Sequence, residues 1–393
     1  LFVCLAGSAI WSFLPLPAVG AVLVYQGMVF MDKWLISSRK RFNQLDYQVI
    51  ALIFAVILIN GFLTAVLLGT LITILMFVRQ YSKLKVIYLN TDARTLRSQV
   101  ERPLRHQKAL EKYGDRVRIV RLKGFLFFGT AYSLLEELKS SMEPPCVFLI
   151  LDFGRVSGCD SSTANALMRL HQDCQQNKVL LLLTAVPPDL KEVLEGSGMT
   201  ILDDSDDQVR LNTKVLMKNA GQFVDWDRAL EWCENELLNR LPSNESGEYP
   251  LESILRERMD IMPYEVVHLV RYFEPVNVKV GEYFIKQGDA ADSMYLITKG
   301  KVEIQLEMGE DAHKRIKTMM PGTIIGEMGV YTNGTRTASA KAMENTQLMK
   351  LSERSLLDME ANNQLMAVRL HRFVVMLLAE RLSSSNKVLQ EFI

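Results

Sequence analysis

The feature that most constrains this chain is an uncharged run. From Gln48 to Val78, "QVIALIFAVILINGFLTAVLLGTLITILMFV" holds 31 residues without an acid or a base. A helix that faces water needs a polar side, so a segment apolar all round belongs in lipid or deep inside other protein. Roughly 20 residues cross a bilayer once, which makes the run too long for one span and too short for two. Its edges are basic on both sides, with Lys33, Arg39, Lys40 and Arg41 before it and Arg79, Lys83 and Lys85 after it. Basic edges stay on the cytoplasmic side. The run is therefore expected to enter and return as two short helices turning near Asn60-Gly61, half-length helices that persist only when other protein buries them. A second uncharged stretch, Leu1 to Met31, is divided by Pro15 and Pro17, and its later part has the length of one short membrane helix. It lacks a basic start and a cleavage site, which argues against a signal peptide. With Leu as its first residue, the chain is expected to be a fragment without its N-terminal part. The competing reading is a buried helical hairpin of a soluble protein.

The remainder needs other domains. A length of 393 residues points to two or three cores. Lys plus Arg and Asp plus Glu both number 45 and are interspersed, so nothing suggests nucleic acid as a partner. Cys4, Cys146, Cys159, Cys174 and Cys233 form no CxxC pair and read as thiols of a reducing compartment, neither a disulfide frame nor a metal site. The five histidines are equally scattered. No nucleophile, base and orienting group share one motif, so enzymatic activity and catalytic residues are not expected.

After Tyr88 the pattern changes. "CVFLILDF" (Cys146–Phe153) and "KVLLLLTAV" (Lys178–Val186) are continuous apolar strands, as in a parallel sheet covered on both faces. Between them "DSSTANALMRLHQDCQQN" reads as a helix with Ala166, Leu167, Leu170 and Cys174 on one stripe. With a strand at Val117 to Leu122, this predicts a small α/β domain ending near Leu211. "GSGMT" (Gly196–Thr200) lacks the Lys of a phosphate loop and reads as a helix-to-strand turn. Asp203–Asp207 reads as a solvated loop.

"YSKLKVIYL", "RTLRSQVERP", "LKGFLFFGTAYSLLEEL" and "LDFGRVSGCDSSTANAL" resemble the SulP anion transporters where their membrane part joins the STAS domain. "GFLTAVLLGTLITILMFVRQYS" is similar to that family's last membrane hairpin, and the likeness runs from about Pro17 to Met199. It implies a multi-pass secondary transporter of sulfate-type anions, a homodimer in lipid, with transport residues upstream of this chain. STAS domains share their fold with anti-sigma-factor antagonists, in which the serine after such an Asp is phosphorylated. That position is Ser161, a candidate phosphosite. Helix capping by Asp160, Ser161 and Ser162 explains the same residues without phosphate, and the antagonists carry Gly where this chain has Thr163.

"FVDWDRALEWCENELLNR" (Phe223–Arg240) is amphipathic through Trp226, Ala229, Leu230, Cys233 and Leu237, a helix expected to dock on a neighbour. The turn formers of Leu241–Pro250 mark a boundary. Beyond it Val302, Ile304 and Leu306 alternate with charged or polar residues, the pattern of a half-buried strand. Gly281, Gly288, Gly300 and Gly322 fall at turns where positive φ is expected. The chain from Ser352 onward returns to helix.

"VKVGEYFIKQGDAADSMYLITKGKVEI" with "GTIIGEMGVYTNGTRTASA" resembles a cyclic nucleotide-binding domain over about Leu251 to Leu389. The resemblance implies a β-roll with cAMP or cGMP as regulatory ligand and no required cofactor. Glu327 would take the ribose 2′-hydroxyl and Arg336 the cyclic phosphate, whose single charge suits a guanidinium fork. Backbone amides at Gly326 and Met328, the Thr337 hydroxyl and the small Ala338 would complete the site. The alternative is a β-roll that holds no ligand, with Glu327 and Arg336 as an exposed ion pair. The expected order is membrane helices over 1–85, the STAS domain over 86–212, a helical linker over 213–249 and the nucleotide domain over 250–393, the last three cytoplasmic. A membrane-anchored nucleotide sensor that transports nothing is the rival to a transporter.

Overall fold

The computed structural model describes residues 15–40, 42–81, 85–203, 213–242, 251–309, 313–332 and 334–392. It divides into two compact units, residues 1–84 and 85–393. In the first, Pro17 sits in the opening turn of helix α1 (Leu16–Met31), where its missing N–H costs nothing. Helices α2 (Gln44–Asn60) and α3 (Phe62–Tyr81) follow. They are parted at Gly61, whose φ of +86° breaks the helix as an L side chain would not readily allow. At 17 and 20 residues they are longer than half-helices, because the hydrogen-bonded backbone runs on through Gln44–Tyr47 and Arg79–Tyr81 at the polar edges. Pro17–Ile36 and Phe62–Arg79 are each long and apolar enough to cross a membrane, and Gln44–Asn60 is a shorter apolar helix. A Cβ added to Gly69 would lie 2.8 Å from Ile53 Cδ1, so the glycine lets α2 approach α3 closely.

The second unit begins with an α/β domain. Its sheet runs β1 (Ile87–Asp92), β3 (Val117–Leu126), β4 (Phe148–Cys159), β5 (Leu180–Thr184), β7 (Ala220–Phe223), β6 (Ile201–Asp203), in that order. β1 is antiparallel to β3 and the other pairs are parallel. The apolar strands have a simple cause: both faces are covered. Leu149, Leu151, Leu181 and Leu183 pack under α5 (Phe128–Ser141), α6 (Ser161–Asn177) and α7 (Pro188–Gly196). Phe148, Ile150, Leu180 and Leu182 pack under α4 (Leu104–Tyr113) and α9 (Trp226–Asn239), α8 being the short turn Thr213–Leu216. Residues 220–239, read above as linker, are therefore part of this domain. β7 completes the sheet, and Ala229, Leu230, Cys233 and Leu237 are buried against it. On α6 the buried stripe uses Ala164 in place of the half-buried Ala166.

The β-roll follows α10 (Leu251–Met259) and α11 (Pro263–Val270). One sheet has the order β13 (Ile324–Ile325), β10 (Ser293–Lys299), β15 (Thr346–Ser352), β8 (Glu274–Val278). The other runs β12 (His313–Met319), β11 (Val302–Glu307), β14 (Ser339–Ala342), β9 (Tyr283–Ile285). Ile297, Val302, Met319, Ala340 and Leu348 fill the space between them. The outer face of the first sheet is covered by α10, α11, α13 (Glu353–Asn362) and α14 (Gln364–Phe392) through Leu269, Met359, Leu370, Phe373 and Leu377. Gly300, at φ +100°, turns β10 into β11, and a Cβ there would meet Thr346 Oγ1 at 2.5 Å.

Two findings depart from the sequence expectation. The second sheet gains a fifth strand from the α/β domain: β2 (Val100–Glu101) pairs parallel with β12. Glu303 of β11, expected to face water, is only 5% exposed. α9 covers that face, and Arg228 reaches Glu303 at 3.3 Å. The boundary near Leu241–Pro250 and the acidic residues after Asp203 lie mostly outside the described residues.

Candidate functional site

The six residues singled out in the β-roll line one cavity of about 120 Å³. Gly326, between β13 and the six-residue helix α12 (Glu327–Thr332), has φ +83°. A Cβ there would lie 2.6 Å from the Arg336 guanidinium, so only glycine leaves the arginine its place. Gly329 is equally confined, since its Cβ would meet that of Ala291 at 2.3 Å. Arg336 donates to the Gly326 carbonyl at 3.0 Å and to Ser293 Oγ at 3.2 Å, with Asp292 Oδ1 at 3.6 Å. These contacts fix the guanidinium at the cavity wall beside Thr337 and Ala338. Arg336 is 6% exposed and Glu327 2%.

Glu327 and Arg336 therefore do not form an exposed ion pair. Both are buried, and each has its own partners. Glu327 Oε1 accepts from Arg381 of α14, a cavity residue that no sequence motif signalled. Arg381 lies 54 positions away on an amphipathic helix, where a lone arginine reads as surface charge. Ser293 and Asp292, at the start of β10 and 43 and 44 positions before Arg336, carry no signal in the sequence either. Burial pushes the Glu327 carboxyl above its ordinary range, and Arg381 opposes the shift. For Arg381, burial alone would lower the pKa, but Glu101 and Glu327 more than offset it and hold the guanidinium charged. The cavity thus presents one carboxylate, bonded to the cation Arg381, and a second fixed cation, Arg336; Glu327 and Arg336 are complementary to a hydroxyl pair and a phosphodiester.

In the α/β domain, Asp160 caps α6. Its Oδ1 accepts from the Thr163 amide at 2.9 Å and the Thr163 hydroxyl at 3.1 Å, and its Oδ2 takes the Phe128 amide at 2.9 Å. Ser161 is the first helical residue and is exposed. Capping therefore falls to Asp160, which leaves the Ser161 hydroxyl open to solvent. Deeper in, Arg121 Nε donates to Asp152 Oδ2 at 2.8 Å, and Asp152 Oδ1 accepts from Thr184 at 2.9 Å and the Gly154 amide at 3.1 Å. The Tyr88 and Trp226 rings lie 5.4 and 5.1 Å from this guanidinium. The thiols of Cys146 and Cys174 are pushed up by burial to about 11 and about 12, which makes them poor nucleophiles.

Comparison with known proteins supports both domains of the second unit. Residues 109–210 match the STAS domain and residues 275–363 the cyclic nucleotide-binding domain. A vacuolar basic amino acid transporter of Saccharomyces cerevisiae is 25% identical over 60% of this chain and 22% of its own length. Glutaminase 2 of Bradyrhizobium diazoefficiens is 25% identical over 77% of this chain and 47% of its own. The cAMP-dependent protein kinase regulatory subunit of Dictyostelium discoideum is 33% identical over 25% of this chain and 30% of its own. Among solved structures, the Thermus thermophilus catabolite activator protein is 30% identical, covering 35% of this chain and 62% of that one, with a TM-score of 0.31. The chain spans less than half the length of each of the three curated relatives named. It carries a STAS domain followed by a cyclic nucleotide-binding domain.

Proposed function

We propose that this chain is a regulatory part of a membrane transporter whose β-roll binds cAMP or cGMP. The observation that carries the nucleotide reading is the convergence of buried Glu327 and Arg336 on one cavity. Calorimetric titration of the chain with each nucleotide tests it. Binding is expected well below millimolar, and a dissociation constant no better than about 1 mM, worth roughly 4 kcal/mol, would mark the roll as a structural module.

Membrane insertion is supported by the apolar helices of the first unit and by their basic edges. Cysteine reporters placed at Lys40 and at Lys83 are expected to label from the cytoplasmic side alone. Labelling of the two from opposite faces would show a single crossing and end the hairpin reading. Transport is supported by the likeness to the SulP family and to the yeast transporter. The first favours a sulfate-type anion and the second a basic amino acid, so uptake of labelled sulfate and of labelled arginine by the full-length protein decides between them. A nucleotide sensor without transport is the outcome if neither accumulates.

A further inference from the structure

Arg381 has a second commitment beyond the cavity. Its Nε and one terminal nitrogen donate to the two oxygens of Glu101 at 2.8 and 2.9 Å, and that same terminal nitrogen reaches the Ile324 carbonyl at 2.7 Å. The remaining terminal nitrogen goes to Glu327. One guanidinium thus serves two carboxylates, with Lys317 Nζ 3.3 Å from Glu101 as additional positive charge. Glu101 lies on β2, the strand that the α/β domain lends to the β-roll. That strand is gripped from both sides. The Thr318 amide donates to the Gln99 carbonyl at 2.8 Å and the Met320 amide to the Glu101 carbonyl at 3.0 Å. On the other side α9 holds the Ser98 amide through Glu234 at 3.0 Å, the Gln99 amide through Asp227 at 2.6 Å and Arg102 Nε through Glu234 at 3.1 Å.

We propose that Arg381 is a shared counter-ion through which occupancy of the nucleotide cavity and docking of the α/β domain oppose each other, with Glu101 as that domain's hold on the site. This rests on the nucleotide reading above. Arg381 holds Glu327 Oε1, so a ribose hydroxyl drawn to that oxygen competes with Arg381 for it. Glu101 anchors the fork of Arg381 bidentately and so aims its last nitrogen into the cavity. A ligand that displaces Arg381 loosens what holds β2 against β12. By reciprocity, whatever weakens that hold strengthens the ligand.

The test uses the full chain in detergent, titrated with cAMP and with cGMP. Glu101→Gln keeps the side chain's shape but removes the charge that anchors Arg381, and Glu101 does not itself line the cavity. It is expected to bind nucleotide about fivefold or more tightly than the unaltered chain. In the unaltered chain, saturating nucleotide is expected to speed hydrogen exchange at the Thr318 and Met320 amides. That measurement needs no variant and stands even where Glu101→Gln folds poorly. Equal affinities with unchanged exchange overturn the coupling and leave the nucleotide reading intact. Absence of binding in both proteins overturns the nucleotide reading and the coupling with it.

Discussion

Two buried arginine–carboxylate clusters in this chain look alike on paper and behave differently in space. Arg121 and Asp152 sit on adjacent parallel strands, opposite each other in register. Asp152 bonds Arg121, Thr184 and the Gly154 amide, all in its own sheet, and aromatic rings lie over the arginine. Glu327 and Arg381 come from a short helix and a distant one, line a cavity, and draw a third charge from another domain. The first cluster is closed on itself; the second is open to exchange of partners. A buried charge with all its partners within one sheet holds the fold together, whereas one with a partner on a separate element, facing empty space, is positioned to trade that partner for a ligand.

The largest expected effect tests the closed cluster. Asp152→Ala removes the carboxylate partner of a buried guanidinium, and breaking such a pair costs about 3–5 kcal/mol. Thermal unfolding of the second unit should fall by roughly 10 °C, with nucleotide affinity unchanged. A loss of affinity comparable to the loss of stability would show that the two clusters are not independent.

Next comes the cavity that the open cluster lines, through its other cation. Arg336→Ala removes a charge-assisted bond worth roughly 1.5–3 kcal/mol, so calorimetry should find nucleotide binding weakened at least about tenfold. Arg336→Lys should recover only part of it, because an ammonium keeps the charge without the fork. Full recovery would mean that charge alone, not geometry, recognises the phosphate.

A smaller effect concerns the interface between the domains, where Arg315 meets Asp227 at 3.3 Å and Glu231 at 2.7 Å. Burial pushes the Asp227 carboxyl up to about 6 from an ordinary 3.8, against the opposing pull of the Gln99 amide and Arg315. The folded state therefore holds this proton more tightly than the unfolded chain does. The stability it contributes is complete below about pH 4 and is lost as pH rises through about 6. Glu231 is shifted the other way: burial raises it, but Lys301 and Arg315 outweigh that and leave it below its ordinary value, so it does not titrate in this window. Asp227→Asn should flatten the dependence of melting temperature on pH between 5 and 7. An unaltered slope assigns the titration to another group.

The smallest effect is at Ser161. An acid in the first turn of a helix is favoured by the helix dipole, so Ser161→Asp should leave the melting temperature within a degree or two. A change in transport by the full-length protein at constant stability would make the exposed hydroxyl a regulatory site.

What the sequence determined by itself was everything governed by near neighbours. Alternation, continuous apolar runs and turn glycines are set by backbone geometry over a few residues, and so the strands at Val117–Leu122, Cys146–Phe153 and around Val302–Leu306 were legible, although the first two run on to Leu126 and Cys159. The Gly326-to-Ala338 stretch was legible through its resemblance to a known domain, and Glu327, opening α12, and Arg336, in the loop before β14, line the same cavity. The tertiary structure decided which charges are paired, and with what. Arg381 reaches Glu327 across 54 positions and Glu101 across 280. Glu303 is buried only because a helix of another domain lies over its strand, and β7 with α9 reads as linker until β7 is seen seated between β5 and β6. No periodicity records such choices, since an ion pair selects its partner by where packed elements place the two heads, not by their distance along the chain.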